Sequence, residues 1–194
     1  MNTRDAISAR RSIRRFSDAP VDHEDLVAIL EAARQAPSGK NRQPWRLVVV
    51  QDDQRDEMLA RMAAGIEQAR VRGDDRGSSP GTLRVMAQAP VTIFVLKPGG
   101  MPPWITRSVE QAFNDVVDIQ SIGAAIQNLL LAATDLGLGS LWICDVFYAY
   151  DELMSWLGEE GQLIAAVSIG HPEESPSARP RKPLDEIATW YGVG

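Results

Sequence analysis

Four arginines fall within six positions near the start of the chain: Arg10, Arg11, Arg14 and Arg15 in the stretch ARRSIRRF (residues 9–16). Guanidinium groups are planar, permanently charged and carry paired N–H donors that match carboxylate or phosphate oxygens. A cluster of this kind is either a solvated basic turn or the seat of an anion. A second basic group, Arg179 and Arg181 with Lys182, lies near the other end in ARPRKP (178–183). Between them, APSGKNRQPW (36–45) sets Ser38, Asn41 and Gln43 beside the turn formers Pro37 and Gly39. The formal net charge is -6 and the pI near 5.0, which opposes a duplex-binding role, because that affinity rests on many cations neutralising phosphates. The cluster therefore suits a small anion, and neither nucleic acid nor membrane is expected as a partner.

Other chemistries lack their machinery. Cys144 is the single cysteine, so no intrachain disulfide can form and a cysteine metal site is disfavoured, and a reducing cytoplasm fits. It reads as a small buried residue rather than a nucleophile. His23 opens a helix and faces solvent, and His171, in IGHP, suits a turn. No Ser/His/Asp arrangement or metal-ligand spacing is present in local motifs. GLGSLW is not G-x-G-x-x-G and follows a helix, so the dinucleotide fingerprint and the P-loop are both missing. MNTRDAISARR has no apolar core of signal-peptide length, and IGAAIQNLLLAA is interrupted by Gln127 and Asn128, so neither an export signal nor a membrane span is expected.

The three basic and polar pieces, taken in order, resemble the FMN-dependent nitroreductase family. That family carries an R-R-S-x-R turn, a P-S-x-x-N-x-Q-P-W loop and a basic C-terminal pair, and the likeness extends through IGAAIQNLLLAATDLGLGSLWI and AAVSIGHP. The resemblance implies an FMN cofactor and NADH or NADPH as electron donor, with an electron-poor small molecule, such as a nitroaromatic or quinone, as acceptor. It implies that Arg10 and Ser12 bind the phosphate from one end of the chain and Arg179 and Arg181 from the other. Arg11 and Arg14 would follow the ribityl chain and the pyrimidine edge of the ring, with Arg14 favouring the reduced flavin. Pro37, Ser38, Gly39 and Asn41 would reach the flavin of the opposite subunit, although Gly39 stands where many relatives have a second serine. Ile143, Cys144 and Asp145 would offer backbone groups to the C4 carbonyl and N5 region, and Trp104 and Phe113 would line the acceptor pocket. Arg15 is assigned to the surface. Relatives with other flavin chemistry, such as dehydrogenation, dehalogenation or flavin fragmentation, and a non-catalytic flavin carrier share these motifs.

The elements that must hold these residues follow from periodicity. With 194 residues, 44% of them hydrophobic and 24% charged, the chain suits one globular domain over 1–194. Asp22, with Asp25 as a short-armed capping box, opens a helix whose apolar face is Leu26, Ile29, Leu30 and Ala33 and which stops at Pro37. WRLVVVQ is a strand, begun by a buried Trp45, and Asp52 opens a helix to about Ala69. RGDDRGSSPGT is a loop, followed by a short helix and by the strand PVTIFVL (90–96). From about Ser108 to Leu136 a long helix buries Ile119, Ile122, Ile126, Leu129, Leu130 and Ala133. LWIC and LIAAVSIG are strands, YDELMSWLG is a helix, and the rest is a Pro-rich tail. The family resemblance implies the matching fold: α+β, nitroreductase-like, with a central, mostly antiparallel sheet surrounded by helices. It further implies an intertwined homodimer, with flavin sites at the subunit interface and a C-terminal arm (173–194) extending over the partner.

Overall fold

A computed structural model describes residues 1–192; Val193 and Gly194, the end of the expected arm, lie outside the described residues. Four strands form one antiparallel sheet, β1 (Arg46–Val50), β2 (Val91–Lys97), β3 (Gly139–Ile143) and β4 (Gln162–Gly170), in the spatial order β1-β2-β4-β3. The inner strands β2 and β4 read as nearly continuous apolar runs because both of their faces are covered. Alternate residues separate two cores. Phe94, Leu96 and Ala166 face α3 (Gln54–Arg72), α4 (Ser79–Gln88) and α6 (Tyr150–Leu157), whereas Ile93, Val95, Ala165 and Val167 face α2 (His23–Arg34) and α5 (Val109–Asp135). Ile164 is an extra residue between the Val95–Ala165 and Leu96–Leu163 pairs, a bulge that resets this alternation.

The long helix starts at the expected place for a clear reason. Ser108 accepts from the N–H of Gln111, and Gln111 accepts in return from the N–H of Ser108, a complete capping box. By length and composition α5 could cross a membrane, but here it is the central core helix, with Ile122, Ile126, Leu129 and Ala133 fully enclosed. Ile119 departs from the expected buried face and is exposed. It continues a stripe of exposed Val109, Phe113 and Val116, because periodicity identifies an apolar face without saying what covers it. Asp22 precedes α2 without a side-chain capping bond, since the short Asp25 arm does not close the box. Asp52 is not a helix start but a left-handed turn residue (φ 51°), and α3 begins at Gln54. Trp45 is half-buried, not enclosed, and precedes β1.

Two short helices lack the periodicity that marks the others. α1 (Thr3–Ala9) buries only Ala6, and Asn2 caps it by accepting from the N–H of Asp5 at 3.1 Å. α7 (Leu184–Ile187) lies in the tail with no buried residue.

Candidate active site

The N-terminal arginines are brought to the tail by main-chain pairing. Ser12 bridges in parallel to Ser140 of β3, with Ile13 N–H donating to Ser140 O at 2.9 Å, so Ser12 and Ile13 lie along the β3 edge of the sheet. The chain leaving β4 then runs back along the residues after them. Ser17 N–H donates to His171 O at 3.0 Å, Glu173 N–H donates to Arg15 O at 2.9 Å, and Phe16 pairs with Pro172. His171, expected to stabilise a turn, instead ties the two segments together, its Nε2 lying 3.2 Å from Pro20 O. The N–H of Arg14 donates to a carboxylate oxygen of Glu174 at 2.5 Å, which fixes the tail a few residues before its own arginines.

The result is a crevice of about 530 Å³ lined by Arg10, Arg11, Ser12 and Arg14 from one end of the chain and by Arg179 and Arg181 from the other. All of the residues expected at a phosphate line it. Among the described residues, none of these five arginines has a carboxylate ion-pair partner, so their charge is free for a ligand. Nη1 of Arg11 donates to Ser8 O at 2.7 Å, whereas its buried Nε has no partner. Arg181 is tied to the carbonyls of Arg179 and Pro180. An unpaired buried donor among uncompensated cations is the donor set a phosphate monoester, with three acceptor oxygens, would satisfy.

Arg14 also lines a second crevice, of about 500 Å³, with Leu141, Trp142, Ile143, Cys144 and Asp145 at the end of β3 and Thr82, Arg84 and Gln88 of α4. Ile143, Cys144 and Asp145 thus line a crevice that shares Arg14 with the arginine crevice. The α4 side of this crevice, with Arg84 and Gln88, was not assigned from sequence. Asp145 ties the two walls together: Ser78 Oγ and Thr82 Oγ1 each donate to its Oδ2 at 2.6 Å. Its carboxylate is thereby occupied. Cys144 is exposed rather than buried as expected, because it follows the last residue of β3 and leaves the sheet. Partial burial of the thiol, assisted by the neighbouring Asp145 charge, pushes its pKa up, so it stays protonated at neutral pH and is not an activated nucleophile.

The remaining expected residues lie elsewhere. Pro37, Ser38, Gly39 and Asn41 line neither crevice; their loop packs against α5, so closely that a Cβ on Gly39 would sit 2.5 Å from Val117 Cγ1. Phe113 projects from the exposed stripe of α5. Trp104 is not brought to Arg14. It belongs to an aromatic group with Tyr150 (ring centroids 4.9 Å apart) and Phe147 (6.4 Å), beside a separate cavity of about 430 Å³.

A Desulfovibrio desulfuricans protein solved in complex with FMN superposes with a TM-score of 0.75 at 33% identity, over 100% of this chain and 99% of that one. The FMN reductase [NAD(P)H] of Bacillus subtilis is 30% identical, the match covering 94% of this chain and 70% of that protein. An iodotyrosine deiodinase of Thermotoga neapolitana is 26% identical over 97% of both chains. The model of the nitroreductase family matches residues 7–171, which takes in both ends of the sheet and the arginine turn, and this chain belongs to that family.

Proposed function

We propose that this NAD(P)H-dependent FMN oxidoreductase works as a homodimer, each flavin held at the phosphate and ring by one chain and approached by the second loop of the other. The reading is carried by Arg14, the residue shared by a strongly cationic crevice and a crevice at a strand end. When bound, FMN supplies the redox chemistry, accepting hydride from NADH or NADPH at N5 and delivering it to an electron-poor acceptor such as a nitroaromatic or quinone in a ping-pong cycle.

Arg10, Ser12, Arg179 and Arg181 hold the phosphate by charge-assisted bonds, and Arg11, which lines the same crevice, joins them in place of the ribityl position the resemblance implies. Arg14, anchored through Nη1 to Ser12 O at 3.3 Å, places a cation beside the ring, where it favours the more negative reduced form over the oxidised one. Arg84 adds a second cation to the same wall. With the Asp145 carboxylate engaged by Ser78 and Thr82, the segment Ile143–Asp145 offers its main-chain groups to the ring. No acid, base or nucleophile of the chain is required for the transfer, so the protein contributes position, electrostatics and exclusion of water.

A role for Pro37, Ser38, Gly39 and Asn41 at the flavin requires a partner, since they lie outside both crevices of their own chain. Two exposed apolar features suit that partner: the α5 stripe of Val109, Phe113, Val116 and Ile119, and Leu184, Ile187, Trp190 and Tyr191 of the tail. Because residues 171–174 are bonded to their own N-terminal segment and 176–181 line their own crevice, the part of the expected arm that crosses begins after Arg181. Phe113, on the stripe, is one of the two aromatic residues that the resemblance gives to the acceptor pocket, and on this reading the pocket it reaches is that of the partner. A reducing cytoplasm suits a chain whose one cysteine is exposed.

The deiodinase similarity favours one second reading, reductive dehalogenation of an aromatic substrate at the same flavin. Anaerobic mixing of the FMN-loaded protein with NADPH or NADH tests the first: bleaching of the visible flavin absorption, followed by recolouring with a nitroaromatic or quinone, is expected. A flavin that stays oxidised with both nucleotides refutes it, and recolouring by a halogenated aromatic alone favours the second reading.

A further inference from the structure

Three of the four non-glycine residues with positive φ among the described residues occupy one loop: Lys40 at 53°, Asn41 at 55° and Gln43 at 49°. L-residues resist this conformation, and such departures persist only where the surroundings over-determine them. The turn closes on itself through Ser38: its carbonyl accepts from the N–H of Asn41 at 3.0 Å, and its Oγ accepts from the N–H of Gln43 at 2.9 Å. Those bonds fold the loop but do not fix it to the rest of the molecule. That is done by one face of α5, where Asn114, Val117, Asp118 and Ser121 recur at helical spacing.

Each of the four touches the loop. Gly39 N–H donates to Ser121 Oγ at 3.3 Å, and Ser121 is itself held by donating to Val117 O at 2.8 Å. Nη2 of Arg42 lies 2.8 Å from Asp118 Oδ1, an ion pair by distance in which the N–H does not point at the oxygen, so that Oδ1 has no hydrogen-bond donor, and its Nη1 donates to Asn114 Oδ1 at 3.4 Å. Gly39 packs on Val117 at a distance that admits no side chain. Asp118 is fixed in turn from the sheet side. The Nζ of Lys97, a largely buried side chain at the end of β2, is 3.5 Å from its Oδ2 and also binds Asp115, which Arg107 binds from the other side. Arg42 is thus the outermost cation of a chain of alternating charges, Arg42, Asp118, Lys97, Asp115 and Arg107, most of it shielded from water.

A loop that only joined α2 to β1 would have no use for three left-handed residues under this restraint. We propose that Asp118, with Asn114 and Ser121, is a positioning residue that holds the Ser38–Gln43 turn in its left-handed form before the cofactor arrives. The inference rests on the reading that Ser38 to Asn41 approaches the flavin of the partner. A turn already in its binding form loses little freedom when the flavin binds, which strengthens binding without an added contact.

The test uses the full-length protein and the variants D118N and D118N/K40G. FMN affinity is read from flavin fluorescence quenching, melting temperature from the FMN-free protein, and the turn from crystal structures of FMN-free wild type and D118N. Loss of a charge-assisted anchor should weaken FMN binding by roughly tenfold or more, with Lys40 and Asn41 leaving positive φ in D118N. Glycine adopts positive φ freely, so K40G in the D118N background should recover most of the affinity. Unchanged FMN affinity in D118N, a turn that keeps positive φ there, or no recovery with K40G overturns the proposal. A lower melting temperature with affinity retained likewise makes Asp118 structural only. Failure of the wild type to bind FMN would sink the cofactor reading instead, and the two FMN-free crystal structures would still decide whether Asp118 sets the turn.

Discussion

Replacing Arg10 or Arg181 with alanine should weaken FMN binding without weakening the FMN-free fold. Neither guanidinium has a carboxylate partner among the described residues, and both line the same crevice as Arg11, Arg14 and Arg179. A hydrogen bond to a charged group contributes about 1.5–3 kcal/mol, so each substitution should raise the Kd by roughly 10- to 150-fold. Removing one of several neighbouring cations relieves repulsion, so the melting temperature of the apo-protein should hold or rise slightly. If both side chains touch one phosphate, the double variant should deviate from additivity by about 0.5 kcal/mol or more. The losses should shrink at high salt, since the crevice is open to solvent and the screening length is about 10 Å at 0.1 M. Fluorescence titration of the two single variants and the double variant, beside thermal melts without FMN, measures all of this. Affinities within twofold of wild type for both single variants, or a marked loss of apo stability, would refute the reasoning.

Four further outcomes follow from the geometry. Cys144→Ser should keep flavin reduction by NADPH within a few-fold of wild type, and the native thiol, its pKa raised by burial and Asp145, should react with iodoacetamide more slowly than a free cysteine at mildly alkaline pH. Asp145→Ala removes the acceptor of both Ser78 and Thr82 and should destabilise the protein by roughly 2 kcal/mol, read by urea unfolding. Phe113→Asp, in the middle of the exposed α5 stripe, should shift sedimentation toward the monomer and release FMN together with it. Burial would raise the carboxyl pKa of Asp115, but the bonds from Lys97 and Arg107 outweigh it and hold it below the ordinary 3.8. Its contribution is therefore complete above 3.8 and lost as pH falls through the lower folded value, so the stability gap between wild type and Asp115→Asn should narrow on acidification below that point.

Much of this fold was legible because its helices and strands bury regular faces. The spacing of Leu26, Ile29 and Ala33, the capped start at Ser108 and the unbroken β2 and β4 runs each specify an element by themselves. α1 was not legible, since a seven-residue helix with only Ala6 buried leaves no period to find. The arginine turn and the basic tail could be linked through resemblance, but the link itself is made of backbone bonds between residues 15–17 and 171–173, which leave no mark on side-chain type. Arg84 and the Asp145 clamp escaped for a related reason: Ser78, Thr82 and Asp145 meet only after α4 is laid across the end of β3. Ile119 was misjudged because an apolar helix face left exposed has the same composition as one that packs on the core. Lys97 shows the converse, a buried charge at a strand end whose partners lie on a helix begun a dozen residues later.

A crystal structure of the FMN complex tests the account most directly. The phosphate should lie within hydrogen-bonding distance, about 3 Å, of guanidinium nitrogens from both Arg10 and Arg181 of one chain. The ring should lie against Ile143–Asp145 of that chain, with Ser38–Asn41 of a second copy beside it. A flavin bound elsewhere, or a phosphate met by arginines from only one end of the chain, would contradict it.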